Sequence, residues 1–213
     1  NDSTDNTIEL LNNFINKNKN VTIITEKNIS KKIPKRTHRI AYARNKIIEE
    51  IYKQNFYQKY DYFMNLDLDN ININMDINSI KQFLDSDLDW DVGTANNKTY
   101  YDYWALRTLK SNINCWNNGP CTNNKINLGQ WFDSFSGSKI DKNHKPIKVL
   151  SAFGGLGIYK IKSIKNCKYD GVERNPDKKG TFKDEECEHV TFHKCMRNNG
   201  NDKIYIIPYL NNI

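Results

Sequence analysis

Tyr60-Asp61-Tyr62-Phe63-Met64-Asn65-Leu66-Asp67-Leu68-Asp69 decides the fold. An aromatic and apolar run of strand length ends in two carboxylates spaced i, i+2. Tyr, Phe, Met and Leu in succession fit a strand covered on both faces, and this predicts a buried, central strand. Carboxylates beside a dry core are costly unless they reach water or a cation. In open α/β sheets ligands collect at the carboxyl ends of strands, so Asp67 and Asp69 read as a divalent-cation site on that rim. Hard oxygen ligands of this kind suit magnesium or manganese, with phosphate oxygens completing the shell. A polar turn after a strand is the plainer alternative.

The bulk of the chain sets bounds on that reading. With 213 residues it holds one sizeable domain or two small ones. Hydrophobic residues make up 38% and charged residues 27%, and mean hydropathy is -0.80. That is polar, but the apolar residues fall in periodic blocks, which predicts a folded domain with an Asn/Lys-rich surface and not a disordered chain. The Asn, Ile and Lys bias fits an AT-rich genome, as in viruses and parasites. A net charge of +7 favours anionic partners without choosing among nucleotides, phosphates and nucleic acid. Five cysteines without a Cys-x-x-Cys argue against zinc and leave one or two disulfides or free thiols open. No apolar run is long enough to cross a membrane, which predicts a soluble domain, cytoplasmic or secretory-lumenal, with any signal or anchor outside this sequence.

Outward from the acid pair, the elements alternate. Asn1 to Thr7 is a polar turn into a helix, with Asn6 and Glu9 spaced as a capping pair and Ile8, Leu11 and Phe14 or Ile15 on one face. Val21 to Ile24 reads as a short buried strand. A polar turn feeding a helix normally follows a strand, so the expectation is that one or more strands are missing before Asn1. Residues 28 to 39 form a basic connector, Lys31, Lys32, Lys35, Arg36, His38 and Arg39 around Pro34. The helix after it carries a stripe of Ile40, Ala43, Ile47 and Ile51, and arginines at a helix start favour phosphate. Beyond the acid pair, Ile77, Ile80 and Leu84 mark a helix capped by Asp76, and Asp89 to Ala95 another strand. The order predicts a parallel α/β arrangement.

From Tyr100 the texture changes. Tyr100, Tyr101, Tyr103 and Trp104 cluster around Asp102 and Arg107, and an Asn-rich irregular stretch with Trp116, Trp131 and Phe132 follows. Aromatic faces stack on sugars, so Trp104 and Trp131 are candidate platforms, packing under a flap being the alternative. Gly154 and Gly155, in Val149 to Tyr159, let backbone approach a ligand or mark a bend. Tyr169-Asp170-Gly171 is a turn. Asp184 to Met196 reads as a helix with Glu186, His189 and His193 on one face, candidates for metal ligation or catalysis. Ile204 to Ile207 is a final strand.

Taken together, these stretches resemble the GT-A glycosyltransferases. Asp2-Ser3-x-Asp5-x-Thr7 is similar to the turn after their second strand. Ala43-Arg44-Asn45 resembles the motif of the inverting family that includes cellulose and hyaluronan synthases. Asp67-Leu68-Asp69 matches the Asp-x-Asp that holds manganese and the donor diphosphate. Tyr101-Asp-Tyr-Trp-Ala-Leu-Arg107 is similar to a segment of fungal capsule-type α-mannosyltransferases. The resemblance implies a single domain over 1–213, nucleotide-binding over 1–99 and acceptor-side over 100–213, with a mostly parallel sheet flanked by helices.

It also implies metal-dependent transfer of a sugar from a nucleotide-sugar, UDP- or GDP-linked, to a hydroxyl of a glycan or protein, without nucleic acid as partner. Asp67 and Asp69, with His193 or His189, would hold Mn2+ or Mg2+. Asp2, Arg39, Arg44 and Asn45 would face the nucleotide, and Gly154 and Gly155 the donor sugar. Trp104 and Trp131 would serve the acceptor. Glu188, or secondly Asp170, would be the base of an inverting reaction. The family's late Glu-Asp pair stands here as Glu188-His189, a departure at the catalytic position. A metal-dependent nuclease or phosphohydrolase and a non-catalytic nucleotide- or sugar-binding module are the alternative readings.

Overall fold

The computed structural model describes residues 2–97, 99–110, 139–174 and 184–212. Among the described residues five strands form one sheet: β1 (Tyr62–Leu66), β2 (Val92–Asn96), β3 (Ile147–Lys148), β4 (Leu156–Lys160) and β5 (Ile204–Asn211). Their spatial order is β1-β4-β2-β5-β3. Only β2 and β5 run parallel; β1 with β4, β4 with β2 and β3 with β5 are antiparallel. The protein is therefore α/β with a mixed sheet, and the expectation of a mostly parallel one is corrected. The source of the error is β4. It returns antiparallel between β1 and β2, from a part of the chain distant from both, and no local periodicity signals where such a strand inserts.

The acid-pair strand is also placed differently from the expectation. β1 pairs only with β4 and lies at the edge of the sheet among the described residues, and its Tyr62 and Met64 side chains are exposed. The apolar run reflects aromatic contacts at the rim, such as Tyr62 stacked on Trp90 and Phe63 against Tyr159, not cover on both faces. The central strand is β2, buried at every position. Val21–Ile24 takes no part in the sheet, and Ile24 is exposed. Val21 and Ile23 are half-buried without joining the sheet.

Helices cover both faces of the sheet. On one face α3 (Arg36–Lys53) and α6 (Glu188–Asn198) pack Ala41, Ile48, Ile51, Phe192 and Met196 with Val92, Tyr159, Ile204 and Ile206. On the other, α5 (Ile77–Leu84) packs Ile80 and Phe83 with Trp90, Ala95, Leu156, Ile158 and Ile207. A Cβ at Gly93 of β2 would meet the Phe83 ring, so the glycine is what lets α5 lie this close. Asp76 caps α5 as its sequence predicts, accepting from Asn78 N at 2.9 Å. α1 (Thr7–Lys17) forms where its pattern places it but buries no residue, and Asp5, not the Asn6 side chain, accepts from Thr7 N. Two one-turn helices, α2 (Ile29–Lys32) and α4 (Phe56–Lys59), flank α3.

The buried face of α3 is rotated from the predicted stripe. Thr37, Ala41, Ile48 and Ile51 are inside, while Ile47 is exposed. The spacing 37, 41, 44, 48, 51 is a heptad-like inward seam, and Arg44 sits in its middle. A charged residue on the inner seam of a helix needs partners, and these build the site described next. A disulfide joins Cys167, in the turn after β4, to Cys195 of α6; Cys187 is a buried free thiol.

Candidate active site

Arg44 projects from α3 toward the end of β1 and takes three acceptors. Its Nε donates to Glu188 Oε1 at 3.0 Å, Nη1 to Asn65 Oδ1 at 2.6 Å and Nη2 to Asp67 Oδ1 at 3.1 Å. The guanidinium lies over the Phe153 ring, 4.9 Å from its centroid. Burial opposes the charge on Arg44, but Glu188, then Tyr169 and Asp67, outweigh it and raise the pKa. Asn65 is fixed in turn by donating to the Tyr169 hydroxyl at 3.0 Å, and that ring stacks on Phe192 of α6. One cation thus ties together β1, α3, α6 and the turn carrying Tyr169.

These groups line a cavity of about 540 Å3. Its walls include Arg36 and Arg44 of α3, Asp67 and Asp69 after β1, Tyr101, Asp102 and Trp104 of the aromatic segment, and Glu188 and His189 at the head of α6. That size is within the usual range for small-molecule sites. Six residues chosen from sequence, Arg44, Asp67, Asp69, Trp104, Glu188 and His189, meet there from four separate segments. Asp69 Oδ1 also accepts from Ile71 N at 3.1 Å, which fixes the carboxylate at the cavity's lip.

Behind the wall stands the Gly154–Gly155 turn, both residues in the left-handed region at φ +66 and +86. Gly154 N donates to Asp102 Oδ2 at 3.0 Å, and Gly155 O accepts from Asp67 N at 2.9 Å. A Cβ on Gly154 would lie 2.7 Å from Ala95 O, and one on Gly155 2.6 Å from Ile71 Cγ2. The two glycines therefore support the acids from beneath and do not line the cavity.

Other sequence-chosen residues lie elsewhere. The Asp2 carboxylate accepts from Asn28 N and Ser30 N, at 2.6 and 3.0 Å, and holds the start of α2. Arg39 Nη1 donates to Ile33 O and Pro34 O at the end of that helix. Asn45 exchanges two hydrogen bonds with the Tyr169 backbone, at 2.9 and 2.8 Å. Asp170 pairs with Arg174 and accepts from Val172 N, on the turn beyond Tyr169. His193 is fully buried on α6, with Ser151 Oγ 2.9 Å from Nδ1 and Tyr159 OH 3.2 Å from Nε2. Both of its ring nitrogens are engaged by the core, which leaves His189 as the histidine at the cavity. Trp131 lies outside the described residues. The α3 N-terminus, expected to attract phosphate, is already capped: Glu185 Oε2 accepts from Thr37 N at 3.0 Å and from Thr37 Oγ1 at 2.9 Å. Only Arg36 from the basic connector reaches the cavity.

Tyr101, Asp102 and Phe153 also line the cavity, although no expected role attaches to them in the sequence. The signal for Asp102 was present, since it is the one acid inside the run Tyr100 to Trp104. Burial pushes its pKa up to about 6 against hydrogen bonds from Gly154 N and Ala105 N, with Glu188 and Asp67 adding to the rise. His189 stacks on Phe153 at 3.8 Å, and neither ring nitrogen has a hydrogen-bond partner among the described residues. Glu188 Oε1 is the nearest acid, 3.6 Å from Nε2.

The two buried histidines make stability depend on pH. Burial pushes His193 down to about 3 and His189 well below its usual range, helped by Arg197 and Arg44 respectively. Both stay neutral in the fold, whereas in the unfolded chain they take up protons near pH 6.5. Their stabilisation is complete above pH 6.5 and is lost as pH falls toward the folded values. Asp102 acts oppositely between about pH 4 and 6, where the folded state holds the extra proton. One net proton then favours unfolding, at about 1.4 kcal/mol per pH unit. Urea unfolding at pH 6.5 and 4.5 is expected to differ by roughly 3 kcal/mol, the acid sample being weaker. Equal midpoints would contradict the buried, neutral state of the two rings.

The molecule thus defines a mixed α/β protein with an acid-lined, arginine-braced cavity at one sheet edge. Compared with models of known protein families, with curated proteins and with solved structures, the chain matches none.

Proposed function

We propose that the protein transfers a sugar from a nucleotide-sugar, UDP- or GDP-linked, to a hydroxyl acceptor with the help of Mn2+ or Mg2+. The observation that carries this reading is the convergence of Arg44, the Asp67/Asp69 pair, Trp104 and Glu188 on one cavity. Each was chosen on a different stretch of sequence, and a shared cavity is what a common substrate requires.

Among the described residues no three His, Cys, Asp or Glu side chains form a ready-made metal group. Asp67 and Asp69 would hold the ion through the oxygens left over from their bonds to Arg44 and Ile71 N, with oxygens of the substrate as the other hard ligands. When bound there, such an ion would supply positive charge against the departing nucleotide. Arg36 at the lip adds a second cationic contact for phosphate oxygens. Trp104 and the partly exposed Tyr101 offer ring faces for sugars. No helix among the described residues is long and apolar enough to cross a membrane. The disulfide fits work in an oxidising compartment.

Incubation with a panel of UDP- and GDP-sugars and Mn2+ tests the proposal. Slow release of nucleotide from one donor, abolished by EDTA and restored by Mn2+, is the expected result. Cleavage of oligonucleotides would favour the nuclease reading, and inertness toward both would leave a binding module.

A further inference from the structure

Two carboxylates in the cavity stand where an acceptor proton could go, and they are not equivalent. Glu188 Oε1 accepts from Arg44 Nε at 3.0 Å, and only 6% of the residue is exposed. Protonating it would leave a buried guanidinium short of a counter-charge, which makes Glu188 a poor base. Asp102 is set differently. Its Oδ2 accepts from Gly154 N at 3.0 Å and Oδ1 from Ala105 N at 3.4 Å, and no Lys or Arg pairs with it among the described residues. Each oxygen keeps a further lone pair, and the residue lines the cavity between Tyr101 and Trp104. The titratable groups that bear on it are Asp67 after β1, Cys187 and Glu188 at the head of α6, and Tyr100 and Tyr101 on its own segment. A carboxyl that loses its proton near pH 6 is matched to proton transfer at neutral pH.

We infer that Asp102, not Glu188, takes the proton from the attacking hydroxyl in the transfer proposed above, a reading on which this assignment rests. The acceptor O–H gives its proton to a carboxylate oxygen of Asp102. The acceptor oxygen's lone pair forms the new bond to the anomeric carbon. The bond from that carbon to the diphosphate oxygen breaks, and its electron pair leaves with the nucleoside diphosphate. Direct displacement of this kind inverts the anomeric centre. Asp102 then returns its proton to water. Glu188 in this scheme is a positioning residue, holding Arg44 against Asp67.

The assay uses the whole chain with Mn2+, the donors of the panel, and water as the acceptor. Asp102→Asn keeps an oxygen for Gly154 N and is expected to fold. Its kcat for nucleotide release should fall about 100-fold while the donor KM stays within about threefold, the signature of a lost base. Sodium azide attacks without a proton to lose, so it should restore release by Asp102→Asn and yield a glycosyl azide of inverted configuration. Asp202→Asn, on the surface beside Lys148, should match the parent. Wild-type kcat in Asp102→Asn, a deficit that azide does not rescue, or a retained anomer would each overturn the assignment while leaving the transferase reading in place. A parent chain inert toward every donor would overturn that reading and this inference with it.

Discussion

Replacing Arg44 with methionine is expected to lower the unfolding free energy by about 3–5 kcal/mol, the cost of leaving a buried carboxylate uncompensated. Glu188 is the carboxylate concerned, and Asn65, also buried, loses its donor at the same time. For a chain of this size the melting temperature should drop by roughly 10 °C. Arg44→Lys should not restore it. One ammonium on a flexible stem cannot replace a planar fork that serves Glu188, Asn65 and Asp67 together. The double variant Arg44→Met/Glu188→Gln should be less damaged than the two single changes added together, with a coupling of about 1–3 kcal/mol. Denaturant unfolding of the four proteins decides it. A loss below about 1 kcal/mol in Arg44→Met would mean that the network behaves like a surface ion pair.

The second large effect falls on activity and spares the fold. Asp67→Asn/Asp69→Asn is expected to reduce metal-dependent nucleotide release by about 1,000-fold, equivalent to roughly 4 kcal/mol of transition-state stabilisation. Stability should change by less than about 1 kcal/mol. The Asp67 side chain is 37% exposed and its pairing with Arg44 is partly solvated. The Asp69→Asn change keeps a side-chain oxygen that can still accept from Ile71 N. Melting curves and release rates measured on the same preparation separate the two effects. If the double variant released nucleotide at the parent rate, the acid pair would be only the polar end of a strand. The contrast with Arg44 is the useful part. Arg44 lies on the inner seam of a helix and is bound up with stability, whereas the two aspartates stand at the more exposed lip, each with one carboxylate oxygen engaged, Asp67 by Arg44 and Asp69 by Ile71 N.

Much of the candidate cavity was legible in the sequence because its residues break local patterns. Acids that end an apolar run, an Arg on the inner seam of an amphipathic helix and a Glu-His pair at another helix start are each misfits, and the structure brings them to one cavity. Residues whose role depends on distant partners carry no such local mark. Asp2, Arg39 and Asn45 look available in sequence, yet each is spent on backbone groups, Asn28 and Ser30, Ile33 and Pro34, and Tyr169. His189 and His193 share a face at i, i+4, but β4 supplies Tyr159, which engages His193 and places it in the core. The position of β4 was itself the largest omission. It turned an expected parallel sheet into a mixed one and moved the acid-pair strand from the middle to the edge.

The Cys167–Cys195 link has a practical consequence. It closes a span of 28 residues that contains the Tyr169 turn and the head of α6 with Glu188 and His189. Opening such a loop costs about 3.6 kcal/mol. Dithiothreitol, added to keep the Cys187 thiol from oxidising, would cut the tether while Cys187 is already shielded by burial. Protein purified with and without reductant should therefore melt at different temperatures, and comparisons of turnover between laboratories would need the same buffer redox state.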